Sequence, residues 1–306
     1  MRKPLKIVLP WEPCAITVIG DPHLEEPSHA RARFLSDMQR ASDAGDIIWI
    51  MGDIWSAILA GDMKRSTGAH RNAKLNAEDE STVDDYVNDM IEGTAELLKP
   101  FANNIEVIMV GNHETAVLKH HQNDMVRGLI RELNHHKTRG VFESARIQHG
   151  GYMCWLQLLF VYTSGDPPKR TGSVSQKGYF HHGGGGAAPV TKGMIDGARI
   201  KAGNWFDFGV VGHKHTQVFD RDRVSYMDDY GNIKTKDRDF AIVGGYSGER
   251  SSDYDPMSGG YRLDWSEEKF YHNEAQGCIR LTFRPTMHNA QCICRRGVEI
   301  PESWEN

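Results

Sequence analysis

Apolar residues in the first half of the chain come in short unbroken blocks separated by longer amphipathic stretches. Residues 15–19, 47–51 and 105–110 are runs rich in Val and Ile. Continuous apolar runs of about four to eight residues bounded by turn signals predict buried strands. Pro22, just beyond the first block, stops its ladder. Between the first two blocks, residues 28–44 predict a helix, with Ser28 as a candidate N-cap and Gly45 just past its end. Residues 54–80 are polar and irregular. Residues 81–99 then predict an amphipathic helix, capped by Ser81 and ended by Pro100. Val83, Tyr86, Val87, Met90, Ile91, Leu97 and Leu98 fall on one broad face of it. A further helix is predicted over residues 125–133.

The second half is more strand-like. Residues 152–162 are apolar and aromatic, residues 183–186 are four glycines, and residues 208–211 form another short apolar run. Residues 224–227 and 233–236 flank Asp228-Asp229-Tyr230-Gly231-Asn232, a hairpin signal. There are no internal repeats and no low-complexity linker. The alternation predicts one α/β domain over residues 1–306, with a β-rich part from about residue 216.

The 306 residues are ample for a well-buried core. The formal net charge of -5 removes the strongly basic balance of a general nucleic-acid binder, leaving only a local basic patch open. No apolar run approaches the ~18 residues of a membrane span. The first 19 residues, broken by Pro10, Glu12 and Pro13, do not read as a signal peptide. The five cysteines, Cys14, Cys154, Cys278, Cys292 and Cys294, are odd in number and scattered, which fits a reducing, cytoplasmic setting better than a disulfide framework. Cys292 and Cys294 lie near His288 but have no second pair for a structural zinc, and read as same-face residues of a late strand.

The chemistry lies in clusters that share one placement. Asp21 with His23, Asp53, and Asn112 with His113 each follow a short apolar run directly, and His213 with His215 follow a fourth. In α/β sheets, ligand sites form beyond the carboxyl ends of strands. Carboxylate, amide and imidazole without cysteine suit Mn, Fe, Zn, Ni or Co. One carboxylate can bridge two ions, and such a pair clamps a phosphoryl group and lowers the pKa of a bound water toward ~7.

Asp21-Pro22-His23, Gly52-Asp53, Gly111-Asn112-His113-Glu114, a histidine at 181 or 182, and Gly212-His213-Lys214-His215 occur in that order. In this the chain resembles the calcineurin-like metallophosphoesterase superfamily, whose pattern is D-x-H, G-D, G-N-H-[DE], a lone His and G-H-x-H. The resemblance covers roughly residues 15–216. It implies an α/β fold, a layered αββα sandwich of two mixed β-sheets flanked by helices. It implies two divalent transition metal ions and hydrolysis of phosphate esters, diesters foremost, by metal-hydroxide attack. One ion would be held by Asp21, His23, Asp53 and His215, the other by Asp53, Asn112, the lone histidine and His213, with Asp53 bridging. His113 would serve the leaving group, work that suits a histidine near neutral pH. Of the lone-histidine candidates, His182 directly precedes the glycines and is favoured over His181 and His149. The glycine-rich loop resembles that of phage and bacterial members.

Two departures narrow the branch. Gly52-Asp53-Ile54-Trp55-Ser56 lacks the second acid of G-D-x-x-D, and no Arg follows it as in the protein serine/threonine phosphatases of the superfamily. Residues 183–193 do not follow the order of a nucleotide-binding P-loop. Lys192 is a candidate phosphate contact against the reading of a solvated lysine. The basic stretch Lys64, Arg65, His70, Arg71 and Lys74 is a candidate substrate contact against that of a solvated loop. Trp55 reads as packing, with stacking on a base as the alternative. His120, His121, His135 and His136 read as surface residues. The substrate the resemblance implies is thus a phosphate ester, with nucleotides and nucleic acid open and no membrane partner expected. The rivals are a DNA or RNA nuclease, and a non-catalytic scaffold of the same fold.

Overall fold

A computed structural model of the protein describes residues 3–26, 29–57, 83–142, 145–164, 169–185, 191, 193–246, 277–288 and 291–301. Ser28, Ser81, Gly186, Lys192 and the basic stretch from Lys64 to Lys74 lie outside them.

The apolar blocks form parallel strands β2 (Cys14–Ile19), β3 (Ile47–Ile50) and β4 (Ile105–Met109). Every residue of β3 and β4 is buried, as a central strand covered on both faces requires. The connections are α1 (Arg31–Asp43) from β2 to β3, and α2 (Val83–Leu98) from β3 to β4. After α2, Pro100 sits in a single 3-10 turn, Lys99–Phe101. Helices α3 (Asn112–His121) and α4 (Met125–Asn134) lead to β5 (Gln148–Gly151), which extends the parallel run. Two late strands, β11 (Ile279–His288) and β12 (Gln291–Glu299), add antiparallel on the other side, giving the order β12-β11-β2-β3-β4-β5.

The second sheet takes β1 (Leu5–Pro10), β6 (Met153–Ser164), β7 (Lys169–His181), β8 (Phe208–Val211), β9 (Val218–Met227) and β10 (Ile233–Ile242). Its order is β1-β6-β7-β8-β10-β9, with β7, β8 and β10 parallel to one another. Both sheets are mixed.

Strand periodicity sorts the side chains into layers. Along β3, Ile48 and Ile50 face outward and pack with Phe34 and Met38 of α1, Val87 and Ile91 of α2, and Leu129 of α4. The alternate residues Ile47 and Trp49, with Met51 just beyond the strand, face inward. They meet Leu158 and Phe160 of β6, Phe180 of β7 and Phe208 of β8. The indole of Trp49 stacks on Phe180 across the two sheets, with centroids 3.9 Å apart. Burying each such side chain contributes roughly 1.5–3 kcal/mol. On the far side, Met194 and Ile200 of α5 (Met194–Gly203) cover Tyr179, Phe206, Phe240 and Ile242. The architecture is helices, sheet, sheet, helix: the expected layered sandwich.

Several elements exceed the sequence signal. The hairpin strands β9 and β10 reach ten residues each, because β9 is held by charge instead of apolar alternation. Arg221 and Arg223 pair with Asp239 and Asp237, and Asp222 with Arg238. Helix α1 begins at Arg31 after Ala30, which makes no side-chain cap. Cys292 and Cys294 share a strand, β12, and all five cysteines are free. Among the described residues no helix is long and apolar enough to cross a membrane.

Candidate metal centre

The carboxyl ends of β2, β3 and β4 in one sheet, and of β7 and β8 in the other, deliver the polar clusters to one place. Asp21 and His23 follow β2, and Asp53 follows β3. Asn112 and His113 open α3 after β4, His182 follows β7, and His213 and His215 follow β8. The chain turns sharply at these exits. Asp21, His23, Asp53, His213 and His215 all have positive φ, from 35° to 67°. Each such non-glycine residue costs about 1–3 kcal/mol and persists only where the surroundings over-determine it. They do so here. The Asp21 carboxylate accepts from His213 N at 2.6 Å, and its carbonyl accepts from Tyr246 N at 3.2 Å. His23 N and Leu24 N donate to the carbonyls of Asp53 and Ile54.

Two glycines let the β3 and β4 exits touch. Gly52 has φ 98°, and a Cβ there would lie 2.4 Å from Gly111 N. A Cβ on Gly111 would lie 2.0 Å from Asp53 Oδ1. Glu114 ties the same loops together. Its buried carboxylate accepts from Gly111 N (2.8 Å), Asp53 N (3.1 Å), Ile54 N (2.6 Å) and Trp55 N (3.3 Å). Burial, and after it the charge of Asp53, push the Glu114 carboxyl up to about 7.

The histidines are oriented one by one. His182 Nδ1 lies 3.0 Å from the Met51 carbonyl, which only accepts, so Nδ1 carries the hydrogen. Its Nε2 then faces Asp53 Oδ2 and Asn112 Oδ1, both at 3.1 Å. By the same logic His213 donates from Nε2 to the Gly185 carbonyl at 3.0 Å and turns Nδ1 toward Asp53 Oδ2, 3.8 Å away. His113 donates from Nδ1 to the Ser56 carbonyl at 2.6 Å, leaving Nε2 3.9 Å from Asp53 Oδ2. His23 Nδ1 lies 2.8 Å from Ser56 Oγ. The His23 ring sits 5.2 Å from that of His215, whose Nε2 lies 4.0 Å from Asp21 Oδ2. Outer partners of this kind fix tautomer and ring direction in metal sites.

Charge follows burial. Burial lowers His23 well below the usual imidazole range, and takes His215 down to about 4. Burial, before any neighbour, pushes Asp21 up to about 8. Burial also opposes ionisation of Asp53, but His182 and His213 more than offset it and hold Asp53 well below the ordinary carboxylate value. Burial disfavours charge on His182 too, yet Asp53 and Asp21 take it up to about 9. A ring nitrogen facing two oxygens needs positive charge between them, and a proton supplies it.

Two groups of donors come within 4.8 Å: His23, Asp53 and His113, and Asp53, His182 and His213. Asp53 belongs to both. The donor chemistry fits a pair of cations. Asp21 Oδ1 in addition is buried with no hydrogen-bond partner among the described residues, a costly arrangement for a carboxylate oxygen unless a cation meets it. The first group brings His113 about as near to Asp53 as His213, at 3.9 and 3.8 Å, with His182 nearer at 3.1 Å.

His181 turns away: its Nδ1 accepts from Gly183 N at 2.9 Å, and its ring stacks beside Tyr179. His149 faces Asp124, at 3.9 Å, on the α4 side. Trp55 is buried, with its indole N–H donating to Thr94 Oγ1 at 2.8 Å, so it packs and offers no face to a base. His120, His135 and His136 are exposed and His121 half-buried. Sequence reasoning gave no role to Glu114, Ser56, Glu26 or Tyr152, whose hydroxyl donates to the Gly183 carbonyl at 2.8 Å. Only Glu114 carried a signal, an acid three residues after the helix cap Gly111, in capping-box spacing.

No family model matches the chain, and no curated protein matches it. Among solved structures, it is similar to Vacuolar Protein Sorting 29 from Cryptosporidium parvum, at 10% identity and a TM-score of 0.35, covering 94% of this chain and 98% of that one. It is similar also to Chaetomium thermophilum Vps29, at 11% identity and a TM-score of 0.29, covering 94% and 95%. Likeness at that level leaves the functional reading to the site's own geometry.

Proposed function

We propose that this chain is a dinuclear metal-dependent phosphoesterase of the calcineurin-like kind, acting on phosphate esters and on diesters foremost. The observation that carries the reading is the sharing of Asp53 between two donor groups whose histidines each have one ring nitrogen held from behind. Asp21, His23, Asp53 and His215 would hold one ion, and Asp53, Asn112, His182 and His213 the other. When bound, such a pair lowers the pKa of a water toward ~7 and neutralises charge on a phosphoryl group. The residues do the rest. Asp53 fixes the spacing of the two halves, and Glu114 holds the Asp53 loop against the start of α3. His113, hydrogen-bonded through Nδ1, has Nε2 turned to the site; as an imidazolium, with a hydrogen on each ring nitrogen, it would give the Nε2 proton to the departing ester oxygen and be left neutral with Nδ1–H on the Ser56 carbonyl. The glycine-rich loop beside His213 fits phage and bacterial members, and the five free cysteines fit a cytoplasmic protein.

The test is a hydrolysis panel with Mn, Ni or Zn: bis-p-nitrophenyl phosphate, p-nitrophenyl phosphate, cyclic nucleotides, and single- and double-stranded DNA. The expected result is metal-dependent diester cleavage abolished by chelator. Cleavage of DNA alone would select the nuclease reading. Metal binding without cleavage of any ester would select the scaffold.

A further inference from the structure

Ser56 stands where the superfamily pattern often has a second acid, and it touches two histidines of the site at once. Its carbonyl accepts from His113 Nδ1 at 2.6 Å, and its hydroxyl lies 2.8 Å from His23 Nδ1. The same hydroxyl donates to Glu26 Oε1, and Glu26 is also 4.0 Å from His23 Nδ1. Ser56 and His23 are both buried, and Glu26 is half-buried.

We infer that Ser56, backed by Glu26, is the positioning residue that fixes the tautomer of His23 and so readies that half of the site for a cation. A serine hydroxyl has one hydrogen and two acceptor lone pairs. Because its hydrogen goes to Glu26, the oxygen can only accept from His23. His23 must therefore carry its hydrogen on Nδ1, which leaves the Nε2 lone pair for a ligand. The carboxylate at the end of the chain makes the hydroxyl a better acceptor and the imidazole a better donor of electrons, as outer-shell carboxylates do for metal-bound histidines. Two residues thirty positions apart, Glu26 and Ser56, thus bring a carboxylate to bear on His23 although no second acid follows Asp53. Ser56 serves His113 through the backbone and His23 through the side chain, so a side-chain substitution separates the two roles.

The inference rests on the dinuclear reading, and its test has one arm that does not. In metal-free protein, nitrogen-15 NMR of the histidine rings reads the tautomer directly. His23 is expected as Nδ1–H in wild type and in Ser56→Thr, which keeps the hydroxyl, and as Nε2–H or a mixture in Ser56→Ala. The same Nδ1–H tautomer in Ser56→Ala overturns the relay, whatever metals do. In the second arm, Mn²⁺ titration by calorimetry should show one of two sites weakened ~10- to 100-fold in Ser56→Ala, with the other unchanged and Ser56→Thr restoring the first. Glu26→Gln, which keeps an acceptor but loses the charge, should weaken the same site less. Equal weakening of both sites, or failure of Ser56→Thr to restore, overturns the positioning role. A wild-type protein that binds no Mn²⁺ while His23 is Nδ1–H refutes the dinuclear reading and leaves the relay standing.

Discussion

At the scale of single residues, one carboxylate is shared by two donor groups, and the proposed function gives one histidine of the first group a different task. Asp53 is the only residue in both donor groups found among the described residues, so Asp53→Asn should weaken both metal sites together. Mn²⁺ stoichiometry after gel filtration checks this: the expected value falls from about two per chain toward none. Loss of one ion only would show that the groups are not joined through Asp53. That histidine is His113. Its Nδ1 is on the Ser56 carbonyl and its Nε2 is 3.9 Å from the Asp53 carboxylate, much as His213 Nδ1 is at 3.8 Å, so only the proposed function gives it the leaving group and the other histidines the ions. His113→Ala should keep both ions and lose leaving-group assistance, worth roughly 10²–10⁴-fold. The loss should be largest for an alkyl leaving group and small for p-nitrophenolate, which departs unprotonated. An equal loss on both esters would assign His113 to charge stabilisation.

At the scale of elements, the exits of β3 and β4 act as one unit. Gly111 is the cap of α3, and the space its missing Cβ would take is filled by Asp53 Oδ1 and by Asp53 N, at 2.0 and 2.4 Å. Asp53 N is backbone, and Oδ1, though a side-chain end, is held by His113 N at 3.0 Å, so the clash cannot be relieved cheaply. Gly111→Ala should cost about 1–3 kcal/mol, the range of overpacking, and should displace Asp53 as well. A urea midpoint equal to wild type, with two ions still bound, would refute that close approach. The same exits explain what the sequence made legible. Residues 15–19, 47–50, 105–109 and 208–211 are dominated by apolar residues, broken only by Thr17 and Glu106, because their strands are covered on both faces, so both strands and site acids could be read from them. Strand β7 could not: its burial is partial, and Gly172, Ser173, Ser175, Gln176 and Lys177 break any alternation. Helix α3 was hidden because it is short and buries only Glu114 and Val117, the first of them for hydrogen bonding. Ser56 and Glu26 lay beyond sequence reasoning because their roles exist only once the β2 and β3 loops meet.

At the scale of the molecule, two sheets meet so that buried acids and histidines from both share one proton inventory. Asp21, ordinarily near 3.8, is pushed up to about 8 by burial, and His182, ordinarily 6.5, is taken to about 9 by Asp53 and Asp21 against its burial. Both values are raised on folding. Their contributions to stability are therefore complete below the unfolded values and are lost as pH rises through about 8 and about 9. His215, lowered by burial to about 4, works in the opposite sense: its contribution is present above 6.5 and lost as pH falls toward 4. Metal-free protein should accordingly lose stability between pH 7 and pH 9, seen as a falling melting temperature. Cations need Asp21 ionised and His182 neutral, so binding at pH 7 must expel those protons, up to about two per chain. Apparent Mn²⁺ affinity should then climb across the window in which the metal-free fold weakens. The increase in melting temperature on adding Mn²⁺ should be larger at pH 9 than at pH 7, since stabilisation by a ligand grows with its concentration relative to Kd, reaching about 2.7 kcal/mol at a hundredfold excess. Calorimetry at pH 7 in buffers of different ionisation enthalpy counts the protons directly. A binding heat independent of buffer would mean that none is released, and would break the link between the burial of Asp21 and His182 and the capture of a cation.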